Sequence, residues 1–285
     1  MESQQIDPAE FRQGQRQQWD SAATGWRKWS EKIDQAASGV SERMVELAGV
    51  EPGSRVLDIA AGYGEPSLSA ARKAGSEGAV VATDISAEML AFGRERAEAA
   101  GLENIEFVEA DASSLDYPED SFDAALSRWG IIFEPDGEAA AGRVRGFLKP
   151  GGRLAISSWG TPDQVPFLGI PMRTAMQRLE VPPPPPGTPG PLSRPTPDAI
   201  GGLLKGGGFS DVEVEETEVS MDWDSPEEFT VFIKEIAPPI TAMLAPHPPD
   251  VREETWAAIT EAVREAAGDG PVNFRNLVLL AAGRA

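Results

Sequence analysis

One short segment, residues 56–64, constrains this chain more than any other. It reads Val-Leu-Asp-Ile-Ala-Ala-Gly-Tyr-Gly, an apolar run that ends in two closely spaced glycines. The run predicts a buried strand, and the glycines predict a turn whose backbone can approach a ligand closely. A second apolar run ends at Asp84, whose carboxylate could accept hydrogen bonds from both hydroxyls of a ribose. The spacing therefore predicts a nucleoside site at the end of two neighbouring strands.

Two classes of ligand compete for such a turn. A dinucleotide site runs Gly-x-Gly-x-x-Gly, whereas this chain has Ser67 at the position of the third glycine and Asp58 inside the end of the strand. A carboxylate at that point repels a pyrophosphate, but it attracts a ligand that carries an amine and a sulfonium cation. The residues therefore favour S-adenosylmethionine over NAD.

Later segments repeat the pattern of an apolar strand followed by a polar turn. They cover residues 80–84, 107–112, 121–127 and 148–154. The ordered set resembles the class I S-adenosylmethionine-dependent methyltransferases, in the broad branch that includes the ubiquinone/menaquinone C-methyltransferases. The resemblance covers residues 40–160 and returns at 208–209 and 277–280. It implies a Rossmann-like α/β fold, with a seven-stranded, mostly parallel sheet flanked by helices and an antiparallel last strand beside the sixth.

The rest of the chain predicts a helical cap over this sheet. Residues 1–50 are expected to form a helical arm over the cofactor site, and residues 51–285 the methyltransferase domain. Two insertions, at about 161–195 and 222–269, are expected to cover the carboxyl edge, where open α/β sheets bind ligands. Trp19, Trp26 and Trp29 would share one face of the arm if Gly25 does not break the helix. The proline run 182–186 is interpreted as a stiff connector, with a ligand for a proline-reading partner as the alternative.

The resemblance also assigns candidate cofactor residues. Asp58, Gly62 and Gly64 match the motif beside the methionine part, and Ser127 matches a position whose backbone meets the methionine amine. Asp84 matches the ribose-binding acid, although an acid also favours the start of a helix. The full predicted cofactor set is Trp26, Asp58, Gly62, Tyr63, Gly64, Asp84, Ile85, Met89, Asp111, Ala112 and Ser127. Ile85 and Met89 would flank the adenine, and Asp111 with Ala112 would read its amino edge.

Aromatic residues at the strand ends indicate where a methyl acceptor could bind. Trp129 follows the fourth strand and Trp159 closes the fifth, so both are expected at the carboxyl edge, with Phe133 nearby. They could line an apolar acceptor pocket or fill the core beneath the cap. Arg128 could anchor an acidic or oxygen-bearing acceptor, or form a surface ion pair.

Catalytic residues are scarce. His247 is the one histidine, and it could be a general base or an ordinary loop residue between two prolines. The chain has no cysteine, so thiolate metal sites are excluded and no metal is expected. The sequence predicts methyl transfer by in-line displacement to a small apolar or aromatic acceptor through O, N, S or enolic C. The alternatives are a non-catalytic S-adenosylmethionine sensor or scaffold and, with less support, an NAD-dependent oxidoreductase.

Composition limits the partners. The formal net charge of −21 disfavours binding to phosphate backbones, so nucleic acid is not an expected partner. No run of eighteen apolar residues is present, and the first residues do not resemble a signal peptide. These features, with the absence of cysteine, lead us to expect a cytoplasmic protein that acts on a small molecule.

Overall fold

The computed structural model describes residues 8–185 and 187–285. In this part of the chain one sheet contains seven strands. They are β1 (Arg55–Ile59), β2 (Ala79–Asp84), β3 (Ile105–Glu109), β4 (Phe122–Arg128), β5 (Leu148–Trp159), β6 (Ser210–Trp223) and β7 (Val272–Arg284). Their order across the sheet is β3-β2-β1-β4-β5-β7-β6, in which β1 to β5 are parallel and β7 runs antiparallel between β5 and β6. The predicted fold class is confirmed, including the antiparallel last strand.

Helices connect and cover the strands. They are α1 (Pro8–Leu47), α2 (Ser67–Ala74), α3 (Ala87–Ala99), α4 (Gly137–Phe147), α5 (Pro166–Arg178), α6 (Pro197–Gly206), α7 (Pro226–Ile236), α8 (Pro238–Leu244) and α9 (Pro249–Ala267). Hydroxyl caps start several of them, because a side-chain oxygen satisfies a backbone N–H that the first turn leaves free. Ser86 caps α3 by accepting from the Met89 N–H at 3.1 Å, and Thr196 caps α6 in the same way.

The N-terminal helix α1 continues through Gly25. A Cβ at this position would lie 2.2 Å from the carbonyl oxygen of Glu235, so the glycine allows the close approach of α7. The indole rings of Trp19 and Trp26 meet edge to face with centroids 6.3 Å apart. Trp19 and Trp26 therefore lie on the same face of α1, as expected for an unbroken helix.

The second insertion begins slightly later than predicted. We expected residues 222–269 to be helical, but β6 extends to Trp223, and Asp222 and Trp223 pair with Asn273 and Val272 of β7. The side chain of Trp223 is fully buried among aromatic rings, which keeps the end of the strand in the sheet. The first insertion contains α5, and the described residues between α5 and α6 form turns and irregular structure.

Apolar side chains are buried on both faces of the sheet. One cluster joins α1, α2, α5 and α7 to the sheet, and the other lies between the sheet, α4 and α6. Helices on both faces are the arrangement expected for a mostly parallel sheet. Within the described ranges, none of the helices is apolar over a length that would cross a bilayer.

Candidate functional site

A large cavity lies at the carboxyl edge of the sheet. Its empty volume, which includes space open to solvent, is about 1530 Å³. Open α/β sheets bind ligands at this edge, so the cavity is the candidate ligand site. Its walls come from α1, from the loops that follow β1 to β5, and from α5, α7 and α8.

The glycine loop, residues 60–65, forms the floor at one end. Ala60 and Gly62 both have positive φ angles, 58° and 54°. Such an angle is unfavourable for a residue with a Cβ, so Ala60 is held in a strained conformation. A Cβ at Gly62 would meet no atom within 4 Å, which shows that the loop backbone borders open space at that point.

Asp84 is fixed against this loop by backbone groups. Its Oδ2 accepts from the Gly62 N–H at 2.8 Å, and its Oδ1 accepts from the Ser86 N–H at 2.8 Å. An ionised carboxylate has about four acceptor positions, so both oxygens retain capacity for a ligand. Asp84 also lines the cavity. The carboxylate is therefore oriented in advance and can accept further hydrogen bonds.

Asp58 lies beneath the loop, away from the cavity surface. Its Oδ2 accepts from the Ser67 hydroxyl at 2.6 Å, and its fully buried Oδ1 has no partner among the described residues. Ser67, the residue that departs from a dinucleotide motif, is thus the hydrogen-bond donor to Asp58. Ser127 is also buried, and its Oγ donates to the Ile59 carbonyl and accepts from the Ile131 N–H. Asp58 thus links β1 to the start of α2, and Ser127 links β4 to β1, below the site.

The other end of the cavity is apolar. Trp129 and Trp159 stack there with centroids 4.4 Å apart and planes only 5° from parallel. Phe167 of α5 meets the Trp159 ring edge to face at 4.9 Å. The remaining apolar wall comes from α1, α5, β6, α7 and α8. It contains Ile33, Leu168, Met172, Met221, Phe232, Ile236, Ala237, Pro238, Pro239 and Ile240.

Helix α1 contacts the loops after four strands, in the same order as those strands occur across the sheet. Near its start, the Arg12 Nε lies 3.2 Å from Asp111 Oδ2, after β3. Further along, Asp20 accepts from the Ser86 hydroxyl, after β2, at 2.6 Å. The last two contacts are made by Asp34, with the loop after β1, and by Ser41, with the end of β4. One helix therefore borders both ends of the cavity.

A buried set of polar side chains makes those last two contacts. The Arg128 guanidinium donates to Ser41 Oγ at 2.9 Å and to the Tyr63 hydroxyl at 3.0 Å. The Tyr63 hydroxyl in turn donates to Asp34 Oδ1 at 2.9 Å, and Arg96 pairs with the same Asp34 carboxylate. We call these five residues the site network. It joins α1, the glycine loop, α3 and the end of β4.

Burial changes the acidity of three carboxyl groups around the cavity. It raises the pKa of Asp58 to about 7 and that of Asp84 to about 6, because a charged carboxylate loses hydration there. Hydrogen bonds from Ser67 and from the backbone oppose these shifts. Burial also raises the pKa of Glu134 to about 7, and the nearby charge of Asp111 adds to the effect. All three groups can therefore change charge near neutral pH.

Comparison with known proteins shows which proteins this chain is similar to. Residues 56–152 match the family model described as a methyltransferase domain. The chain is 40% identical over 120 residues to the ubiquinone/menaquinone biosynthesis C-methyltransferase UbiE of Teredinibacter turnerae, covering 42% of this chain and 48% of that protein. It is also 40% identical over 116 residues to an uncharacterized protein of Mycobacterium tuberculosis, covering 41% of each chain. The matches thus span about half the length of the curated relatives, or less.

Solved structures extend the likeness to most of the fold. The YcgJ protein of Bacillus subtilis superposes with a TM-score of 0.57 at 19% identity, covering 86% of this chain and 98% of that one. Phosphoethanolamine N-methyltransferase 2 of Haemonchus contortus, solved with phosphomonomethylethanolamine and S-adenosylhomocysteine, gives 0.57 at 20% identity, covering 96% and 59%. These likenesses support a class I S-adenosylmethionine-dependent methyltransferase domain, with residues 56–152 as the part that matches the family model.

Most of the predicted site residues lie on the cavity wall. They are Trp26, Gly62, Tyr63, Asp84, Ile85, Met89, Asp111, Ala112, Arg128, Trp129, Phe133 and Trp159. Asp58, Gly64, Ser127 and His247 do not lie on it. His247 follows α8, and its backbone N–H donates to the Leu244 carbonyl, as expected for a loop residue. The interpretation of Arg128 as a surface ion pair is wrong, because its side chain is buried in the site network.

Sequence reasoning missed several residues that line the cavity. Glu134 lies on the wall just after a 3-10 turn, Ile131–Phe133, and Arg12 and Gln15 reach the cavity from α1. The turn from α7 into α8, residues 236–240, closes the apolar end. Glu134 could have been found, because it follows Phe133 in the loop after β4. The 236–240 turn carries no motif that predicts its position.

Proposed function

We infer that the protein transfers a methyl group from S-adenosylmethionine to a small apolar or aromatic acceptor. The observation that carries this inference is the composition of the cavity, which has oriented carboxylates at one end and stacked aromatic rings at the other. A charged nucleoside cofactor fits the first end, and an apolar acceptor fits the second. The net charge of −21 supports a small-molecule acceptor rather than a nucleic acid.

The cofactor end fits S-adenosylmethionine in three respects. Asp84 keeps free acceptor positions for ribose hydroxyls, and Ile85 and Met89 supply apolar flanks on the same wall. The open backbone at Gly62 allows close approach of the ligand. The carboxylate of Asp84, which is mostly ionised at neutral pH, gives this end a negative charge that suits a cationic ligand. We assign α1 as the arm that covers this half.

The residues at the acceptor end determine how the protein accelerates methyl transfer. The bound cofactor supplies a methyl group that its sulfonium already activates, so the chain mainly has to align the nucleophile and exclude water. Alignment of this kind can contribute about 7–11 kcal/mol to the rate. Trp129 and Trp159 provide a rigid aromatic wall for this purpose, and His247 lies away from the cavity. We therefore assign no general base to His247.

The experiment measures binding first and transfer second. Calorimetry should detect binding of S-adenosylmethionine and S-adenosylhomocysteine and no binding of NAD. S-adenosylmethionine carrying a radiolabelled methyl group is then incubated with 2-naphthol, 2-naphthalenethiol and 6-hydroxy-2-naphthoate. Labelled organic product, with stoichiometric S-adenosylhomocysteine, is expected from the neutral compounds.

The same experiment separates the alternatives. Binding of S-adenosylmethionine without transfer to a widened panel of phenols, thiols, amines and enols would support a sensor or scaffold. Binding of NAD with hydride transfer would support an oxidoreductase. Failure to bind either adenosyl ligand would show that the proposed function is wrong.

A further inference from the structure

The proposed function does not assign a role to the buried side chain of Arg128. Its guanidinium is buried beside the acceptor wall, 5.2 Å from the centroid of the Trp129 ring, where it could anchor an acidic acceptor. Within the described ranges, however, it forms no ion pair with a carboxylate. Its hydrogen bonds go to Ser41 of α1 and to Tyr63 of the glycine loop. These contacts are internal to the protein, and they occupy two of the five N–H donors of the guanidinium.

Tyr63 connects the two ends of the cavity. It lies between Gly62 and Gly64, in the loop whose backbone N–H holds Asp84. Its hydroxyl accepts from Arg128 and donates to Asp34, and its ring centroid lies 5.5 Å from that of Trp26. The hydroxyl is deeply buried, and burial raises the Tyr63 pKa to about 12, so it stays protonated and keeps both bonds at neutral pH. A movement of the glycine loop would therefore be passed to α1 and to the end of β4.

We propose that Arg128 is a positioning residue that couples the glycine loop to α1 through Tyr63 and Ser41. A ligand that holds the loop would then also hold α1, whose Trp26 and Ile33 border the acceptor end. The cofactor would complete the acceptor wall before the acceptor binds. This proposal rests on the proposed function for the nature of the ligand, and it assigns Arg128 to the protein's internal contacts rather than to an acidic acceptor.

Amide hydrogen exchange of residues 12–47 tests the coupling, with S-adenosylhomocysteine as the probe. In the wild type, saturating probe should slow exchange in this segment. Tyr63→Phe keeps the ring and removes only the hydroxyl, and at a probe concentration that saturates the variant it should abolish at least half of that protection. Arg128→Met should have the same effect. The double variant should lose no more than the larger single variant, because both changes cut the same link.

A matched control replaces an arginine of α1 that lies outside the site network. Arg43 lies two residues after Ser41 and pairs with Glu215 through two hydrogen bonds of 2.6 and 2.9 Å on the surface. Arg43→Met should leave the protection by the probe intact, even if it lowers stability. Equal loss of protection in Arg43→Met and Tyr63→Phe would overturn the proposal, because it would indicate general loosening of α1. Tyr63→Phe also keeps the test available if Arg128→Met does not fold.

Binding of two further probes separates positioning from anchoring. The wild type should bind 2-naphthol more tightly than 6-hydroxy-2-naphthoate, and Tyr63→Phe should weaken both to a similar extent. A wild type that prefers the carboxylate, and loses that preference in Arg128→Met while Tyr63→Phe retains it, would show that Arg128 anchors an acidic acceptor. If S-adenosylhomocysteine does not bind the wild type at all, the proposed function fails. The network is then tested alone, since basal exchange in residues 12–47 should still rise in Tyr63→Phe and not in Arg43→Met.

Discussion

The two ends of the cavity are built by different forces. At the cofactor end, charged oxygens are held by backbone N–H groups at 2.8 Å, as between Asp84 and Gly62. At the acceptor end, indole and phenyl rings pack against one another, as between Trp129 and Trp159. Hydrogen bonds depend steeply on distance and angle, whereas apolar contact depends mainly on the area that is covered. A single substitution should therefore weaken ligand binding more at the first end than at the second.

The largest effect is expected from Asp84→Ala. The change removes an acceptor that could hold two ribose hydroxyls, and hydrogen bonds to charged groups contribute about 1.5–3 kcal/mol each. S-adenosylhomocysteine affinity, measured by calorimetry, should fall at least about tenfold. Glu88→Ala is the control, since Glu88 is an exposed acid in the first turn of α3 and should leave the affinity unchanged. Unchanged affinity in Asp84→Ala would show that this carboxylate does not hold the ribose.

A smaller effect is expected from Trp159→Leu. Trp159 is 5% exposed and packs against both Trp129 and Phe167, so the change leaves a cavity in the acceptor wall. We expect a loss of about 2–3 kcal/mol in the free energy of unfolding, measured with urea. Affinity for 2-naphthol should fall, while that for S-adenosylhomocysteine should stay within about threefold.

Trp256→Leu provides the comparison for this variant. Trp256 is partly buried in α9, and it does not line the main cavity. Its replacement should leave 2-naphthol affinity unchanged. Equal effects of the two substitutions on 2-naphthol binding would mean that Trp159 belongs to the core alone.

As pH rises, folding stability and S-adenosylhomocysteine affinity should change in opposite directions. Asp84, Asp58 and Glu134 have folded pKa values of about 6, 7 and 7, above the values of an unfolded chain. From pH 5 to pH 7 the folded state therefore binds more protons than the unfolded one, and these groups make stability fall as pH rises. S-adenosylhomocysteine affinity should rise over the same range, up to about tenfold, because ionised Asp84 is the stronger acceptor.

Urea unfolding and calorimetry at pH 5, 6 and 7 measure both trends in the same samples. Asp84→Ala should flatten the rise in affinity between pH 5 and 6. If the free energy of unfolding and the affinity both rose with pH, the assignment of Asp84 as the buried acceptor at the cofactor end would be contradicted.

The smallest effect is expected from His247→Ala. The side chain lies outside both ends of the cavity, in the loop between α8 and α9. Turnover of any acceptor should change less than about tenfold, whereas loss of a general base costs about 10²–10⁴. A folded His247→Ala protein that binds S-adenosylhomocysteine but has lost its transfer activity would make His247 the base.

Sequence reasoning located the cofactor end better than the acceptor end, and the reason is physical. Parallel strands end at one edge of a sheet, so residues at or just after the strand ends, such as Asp84 and Asp111, could be placed together from the strand pattern and the family resemblance. Hydrogen bonds that depend on how α1 packs on the sheet could not be predicted. The bond from Arg128 to Ser41 is an example. The turn at 236–240 closes the acceptor end because Trp26 Nε1 donates to the Ile236 carbonyl at 3.1 Å, a contact that no local pattern encodes.

The position of α1 also has a consequence for biosynthesis. Its residues leave the ribosome before the sheet exists, yet their partners come late in the chain. Ser41 and Arg128 are 87 residues apart, and Trp26 and Ile236 are 210 residues apart. Contacts between such distant residues form slowly, because a long loop must close first. A nascent chain can therefore make the contacts of α1 with β1 to β4 first, and the contact with α7, which closes the cavity, only later.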